Sequence, residues 1–192
     1  MADYTSLQTD VADWAMRDDL GSVIPSFIAR AEEEIFKAHR TPLRVREMET
    51  EATLTVTSLA AQLPSDFLEA RYIKLDNDTR DTIYYFTPDK WKPSSYGYFT
   101  IVGNEIRLPT GVSNNLKLVY YAKPDPLATT STNTILDNYY TAYLEGALKF
   151  AFSYMRDFPK VQIAQTALDA FLDNANQKNK SVHAGNLCVV TE

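Results

Sequence analysis

Thiols and imidazoles are scarce in this chain, and the scarcity removes several chemistries. Its 192 residues hold one cysteine, Cys188, and two histidines, His39 and His183. An internal disulfide is impossible, and a lone thiol suits a reducing compartment. A zinc site needs several His or Cys side chains at short spacing, so no metal or other cofactor is expected. Only six glycines occur, none clustered at a strand-to-helix turn, which excludes phosphate-cradling loops of P-loop or dinucleotide type. Cationic residues are also few: 19 Lys and Arg face 25 Asp and Glu, for a net charge of −6. That balance argues against general binding to DNA or to anionic membranes. No run approaches the roughly 20 apolar residues that cross a bilayer. The opening Met-Ala-Asp-Tyr-Thr lacks the basic and apolar regions of a signal peptide, and no internal repeat is visible. What is present, 45% hydrophobic and 12% aromatic residues, suits one sizeable packed domain or a core with an insertion.

Residues Asp137 to Lys178 read as two helices joined by a tight corner. Tyr140, Leu144, Ala147, Leu148, Ala151, Phe152 and Met155 recur in steps of three and four, one face of a helix, with Asp137 as its expected N-cap. Arg156-Asp157-Phe158-Pro159 breaks it; Asp157 can cap the next helix and Pro159 is tolerated in its first turn. Val161, Ala164, Leu168, Phe171, Leu172 and Ala175 form the facing stripe, so an antiparallel hairpin is predicted. At the other end of the chain, Thr5-Ser-Leu-Gln8 has the form of a capping box before an apolar face of Leu7, Val11, Trp14 and Ala15. A second helix begins near Pro25, with Phe27, Ile28, Ala31 and Ile35 as its stripe. The Glu32-Glu33-Glu34 run reads as a solvated face, with Arg30/Glu34 and Glu33/Lys37 spaced for exposed pairs. Thr41-Pro42 stops it.

From about Thr50 the period changes to two: Ala52, Leu54 and Val56 alternate with threonines, as in a half-buried strand. Further strands are predicted over 70–75, 82–86, 98–102, 105–108 and 116–122. Gly103-Asn104 is a two-residue hairpin turn suited to type II′. The cluster 76–81 reads as a turn; it resembles a calcium loop only in part, because the glycine and distal glutamate are missing. Residues 179–192 have no helical period and close on the short β-prone run Leu187-Cys-Val-Val190. The predicted fold class is α+β: N- and C-terminal helices (1–48 and 129–178) form one bundle, 49–128 are an inserted antiparallel β subdomain, and 179–192 are an extended C-terminal segment.

No catalytic constellation emerges. Cys188 and His183 are a nucleophile and a base in principle, but no third group orients them, and solvated terminal residues are the simpler reading. The loop Pro88 to Gly97 and its surroundings, with Tyr84, Tyr85, Lys90, Trp91, Lys92, Tyr96 and Tyr98, could stack bases or sugars. The simpler reading is part core and part protein-binding surface, since aromatic residues are enriched at interfaces.

Several stretches taken in order carry a resemblance: Tyr4-Thr-Ser-Leu7, Ile24-Pro-Ser-Phe-Ile-Ala-Arg-Ala-Glu-Glu-Glu-Ile35, Leu43-Arg-Val-Arg-Glu-Met48, Leu63-Pro-Ser-Asp-Phe-Leu68, Ile101-Val-Gly-Asn-Glu-Ile-Arg-Leu108, Leu118-Val-Tyr-Tyr-Ala-Lys123 and the Tyr-Leu-x-Gly-Ala run at 143–147. The chain resembles the head-to-tail adaptor, or head-completion, proteins of tailed bacteriophages, and is similar in architecture to the gatekeeper rings of short-tailed phages. The resemblance implies a non-enzymatic virion protein, assembled in the host cytoplasm as a dodecameric ring beneath the portal. That ring would extend the DNA ejection channel, let DNA pass without holding it, dock tail or nozzle proteins, and touch no membrane. It implies a portal contact through the C-terminal residues Asn186, Leu187, Cys188, Val189 and Val190. Their β-prone character suits strand addition to a partner's sheet edge. The loop residues Lys90, Trp91, Lys92, Tyr96 and Tyr98 are expected to face the tail or a neighbouring subunit. The alternatives are a small-ligand or enzymatic module using the Trp91/Tyr96 loop, and a phage-encoded binder of a host protein.

Overall fold

The computed structural model describes residues 2–75, 83–112 and 115–185 of this α+β protein. They form two compact units: a helical one from the residues up to Glu47 and from Pro124 onward, and a sheet-rich one between Met48 and Lys123.

In the helical unit, α1 (Tyr4–Ala15), α2 (Ile24–Glu33) and α5 (Phe158–Gly185) all pack on α4 (Thr134–Tyr154). The capping box of α1 is made by Asp3 and Ser6 rather than Thr5 and Gln8: Ser6 N–H donates to Asp3 Oδ1 at 2.7 Å, and Asp3 N–H to Ser6 Oγ at 2.9 Å. Leu7, Val11 and Ala15 are buried, but Trp14 is 59% exposed. A stripe of one residue per turn is all that α1 needs to lie on its neighbours. The α2 stripe packs as predicted, and the helix continues through a wider π turn, Glu34–Ala38. At Gly146 a Cβ would lie 3.0 Å from Ala31 Cβ, so glycine lets α4 approach α2 closely.

α4 starts earlier than predicted. Its N-cap is Asn133, whose side chain accepts the Leu136 N–H at 2.7 Å, and Asp137 sits in the first turn. The backbone leaves helical geometry at Tyr139 (φ −129°, ψ 33°), close to the predicted start, so the regular stripe begins only after this kink. At the corner, Arg156 adopts a left-handed conformation (φ 60°) and Lys160 N–H reaches Asp157 Oδ1 at 3.4 Å.

α5 continues to Gly185, past Lys178, where the sequence predicts the change to an extended segment. Side-chain amides hold the stretch on either side of Lys178. Asn176 Oδ1 accepts the Arg44 N–H at 2.8 Å, Asn176 Nδ2 donates to Pro42 O at 3.1 Å, and Asn179 Nδ2 donates to Arg44 O at 3.0 Å. These bonds hold a polar stretch in place without an apolar period. A short helix, α3 (Leu127–Thr130), occupies part of the stretch read as coil.

The sheet unit holds β1 (Glu49–Leu54), β2 (Ala60–Gln62), β3 (Phe67–Leu75), β4 (Tyr84–Tyr85), β5 (Tyr98–Val102), β6 (Glu105–Arg107) and β7 (Leu116–Ala122). One sheet is antiparallel in the order β1-β7-β3; the other runs β2-β6-β5-β4. β5 and β6 form the predicted hairpin, with positive φ at Gly103 and not at Asn104, as type II′ requires. β2 has no counterpart in the sequence reading, because a tight turn with positive φ at Ser58 and Leu59 creates it. β4 pairs parallel to β5, not antiparallel. The Phe86–Gly97 loop supplies the roughly dozen residues that such a crossover needs. Leu54, Leu63, Ile73, Ile83, Phe99, Ile106, Leu108, Leu116, Leu118 and Tyr120 make the core. The predicted turn over 76–81 lies outside the described residues.

Candidate functional site

Among the described residues, no group of three or more His, Cys, Asp or Glu could hold a metal, and no helix is long and apolar enough to cross a membrane. His183 and Cys188 lie outside the side chains described. His39 is buried and fully engaged. Its Nδ1 accepts the Thr41 N–H at 3.0 Å, so the proton resides on Nε2, which donates to Asp169 Oδ1 at 2.7 Å. The neighbouring Thr41 hydroxyl donates to Asp173 at 2.8 Å. The Thr-His-Asp grouping superficially looks catalytic, yet the threonine proton points away from the imidazole, and the set clamps α5 to the segment after α2. Burial works against ionisation of Asp169, but the hydrogen bonds from His39 and Gln165 outweigh it and hold the carboxyl below its usual range.

The glutamate run at the C-terminal end of α2 is not a uniform solvated face. Glu32 is buried, and its Oε1 accepts the N–H of Leu127 at 2.9 Å. Glu34 is clasped by Lys149, which donates to both carboxylate oxygens; both side chains are largely buried. Only Glu33 behaves as predicted, lying 3.7 Å from Lys37.

The loop candidates come together on the sheet unit. β4 is held to β5 by hydrogen bonds from Tyr84 N–H to Gly97 O (2.9 Å) and from Phe86 N–H to Phe99 O (2.8 Å). This pairing stacks Tyr98 between Tyr84 (6.4 Å between ring centres) and Phe86 (5.1 Å). Pro93 O accepts from the backbone and hydroxyl of Thr110 at 2.7 and 2.9 Å, which pins the loop tip. Tyr84 is 64% exposed and Tyr96 72%, with Lys90 and Lys92 also exposed. Trp91 is half-buried and turned back along the loop, its Nε1 at 3.5 Å from Tyr98 O. Phe86, absent from the sequence-level candidates, completes the cluster; the uninterrupted Tyr84-Tyr-Phe86 run is the signal that could have found it. The other predicted site, Asn186 to Val190, lies outside the described residues.

The helical unit carries a cleft of about 380 Å³ that no motif announces. Tyr139, displaced by the kink in α4, meets Phe171 of α5 edge-on at 6.4 Å, and its hydroxyl donates to Glu47 at 3.1 Å. Burial first, then the Glu47 charge and hydrogen bond, push the Tyr139 phenol up to about 12. Arg46, Asn138, Asn174 and Lys178 line the rest.

A family model described as SU10 adaptor protein matches the chain over residues 2–186. No curated protein matches it.

Proposed function

The chain belongs to the SU10 adaptor protein family, and from that premise we propose that it is a non-catalytic virion protein: a head-to-tail adaptor of a tailed bacteriophage. It forms a dodecameric ring beneath the portal, extends the DNA ejection channel and offers a docking surface to tail or nozzle proteins. The observation that carries this reading is the extent of the match, which takes in both the helical and the sheet unit, so the adaptor role belongs to the whole chain rather than to one module. The net charge of −6 supports a channel that does not retain DNA, because phosphate binding depends on clustered cations. On this reading the aromatic loop of the sheet unit faces the tail or a neighbouring subunit. Residues Asn186 to Val190 anchor the protein on the portal, partly through main-chain hydrogen bonds.

The test is the native particle. Mass spectrometry and image reconstruction should find this chain in virions as one ring per portal vertex; its absence from purified virions overturns the reading. Removing residues 186–192 should leave the fold intact and abolish attachment to portal-bearing capsids. Attachment at normal occupancy would move the portal contact to the helical unit.

A further inference from the structure

Two surfaces of the helical unit complement each other in charge but do not meet within one copy. One is the C-terminal end of α1 and the turn behind it, where Asp13, Trp14, Asp18 and Asp19 are all exposed and Met16 is 83% exposed. Asp19 is taken up by Arg17 at 2.6 Å, whereas neither Asp13 nor Asp18 has an ion pair among the described residues. The other surface is the Tyr139/Phe171 cleft, with Arg46 and Lys178 on its rim. Its one acid, Glu47, is engaged by the Tyr139 hydroxyl. Asp10, one turn before Asp13, accepts from the Tyr140 hydroxyl beside the cleft, yet among the described residues no hydrogen bond or ion pair joins Asp13 or Asp18 to the cleft of its own copy, and Trp14 stays exposed.

We propose that the cleft of one copy receives the acidic, Trp14-bearing end of α1 of the next. The inference rests on the ring reading above and names its subunit contact. An exposed tryptophan flanked by carboxylates fits an aromatic-floored cleft with a cationic rim. Tryptophan and arginine are the residues that most often anchor interfaces, and a guanidinium over an indole adds attraction. Because the two patches differ, the contact is head-to-tail, and its repetition closes a ring when the rotation per copy allows.

The test uses the full chain and two surface charge reversals, Asp13→Lys with Asp18→Lys, and Arg46→Glu. Both proteins should keep the wild-type circular dichroism and melting temperature. Copies bound per portal vertex on portal-bearing capsids are then counted. Each variant alone should bind at least tenfold less than wild type, since its α1 end and its cleft now carry the same sign. An equimolar mixture should recover, because alternating copies restore opposite charges at every contact and a dodecamer accommodates alternation. Normal assembly of either variant alone, or a mixture that fails to recover, overturns the proposed contact. A wild-type chain that never forms a ring on such capsids overturns the ring reading itself.

Discussion

Glu32 shows how one carboxylate can serve as a core residue while its neighbours stay wet. It lies four positions after Ile28 and one after Ala31, so the helix turns it onto the buried stripe. There its Oε1 accepts the Leu127 N–H, an orphan donor at the start of α3 whose N-cap is a proline. A run of three glutamates hides this, yet the spacing from Ile28 makes it legible in principle. Glu32→Ala should cost about 1–3 kcal/mol in chemical denaturation, the penalty for a buried donor left without its acceptor. A loss under about half a kcal/mol would mean that water replaces the carboxylate. Tyr139 makes a second prediction, now in alkali. Its folded pKa, raised from 10.0 to about 12, favours the neutral phenol in the folded state. The stability this contributes is fully present below about pH 10 and is lost as the pH rises towards 12. Tyr139→Phe should therefore flatten the stability profile across that window. An unchanged alkaline profile would show that the other raised tyrosines carry the dependence instead: Tyr120, raised to about 12 by burial and by Asp66, and Tyr140 and Tyr143, both pushed up by burial.

The α4–α5 hairpin illustrates what periodicity can and cannot specify in an element. Leu144, Ala147, Leu148, Ala151 and Phe152 on one helix, and Ala164, Leu168 and Leu172 on the other, are buried, because a 3.6-residue repeat of apolar side chains has one way to leave water. Leu168→Ala should accordingly cost about 2–5 kcal/mol; a change under about half a kcal/mol would contradict its burial. Tyr143 escaped the same reading, since a tyrosine in an apolar stripe does not say whether its ring goes fully inside. Here it is fully buried, edge-on to Phe36 at 6.1 Å. The last turns of α5 were illegible for a different reason. Asn176 and Asn179 are poor helix residues by propensity, and what holds them is backbone more than a hundred residues away in sequence. β2, α3 and the parallel β4–β5 pair share that character: a turn, a buried glutamate and a long loop position them, and none leaves a periodic trace.

Across the sheet unit, the exposed aromatic loop and the buried core beneath it are distinct sets of residues. The loop residues were recognisable from composition, because tyrosines, a tryptophan and lysines crowd between two predicted strands. Their grouping was not, since it depends on the parallel pairing that places Tyr84 beside Tyr98. The cleft of the helical unit was wholly hidden, because it depends on the kink in α4 that brings Tyr139 against Phe171. The loop nonetheless permits a test that distinguishes folding from docking. Phe99 and Ile83 sit in the sheet core, whereas Trp91 lies half-buried on the loop and Tyr96 points into solvent. Tyr96→Ala removes exposed surface only and should change stability by no more than about half a kcal/mol. Trp91→Ala additionally loosens the loop against Tyr98 O but leaves the core intact, so the folded protein should persist with a modestly lower melting temperature. If this face meets the tail or a neighbouring copy, both variants should reduce tail attachment on assembled heads, and Tyr96→Ala should do so without any thermal penalty. Truncated aromatic anchors at interfaces commonly lose more than about 1 kcal/mol of binding, a drop visible in the fraction of tailed particles by electron microscopy. Normal tailing with both variants would leave the loop a solvent-facing feature of the sheet unit. Unfolding of Trp91→Ala with normal tailing of Tyr96→Ala would make the tryptophan part of the fold rather than of a contact.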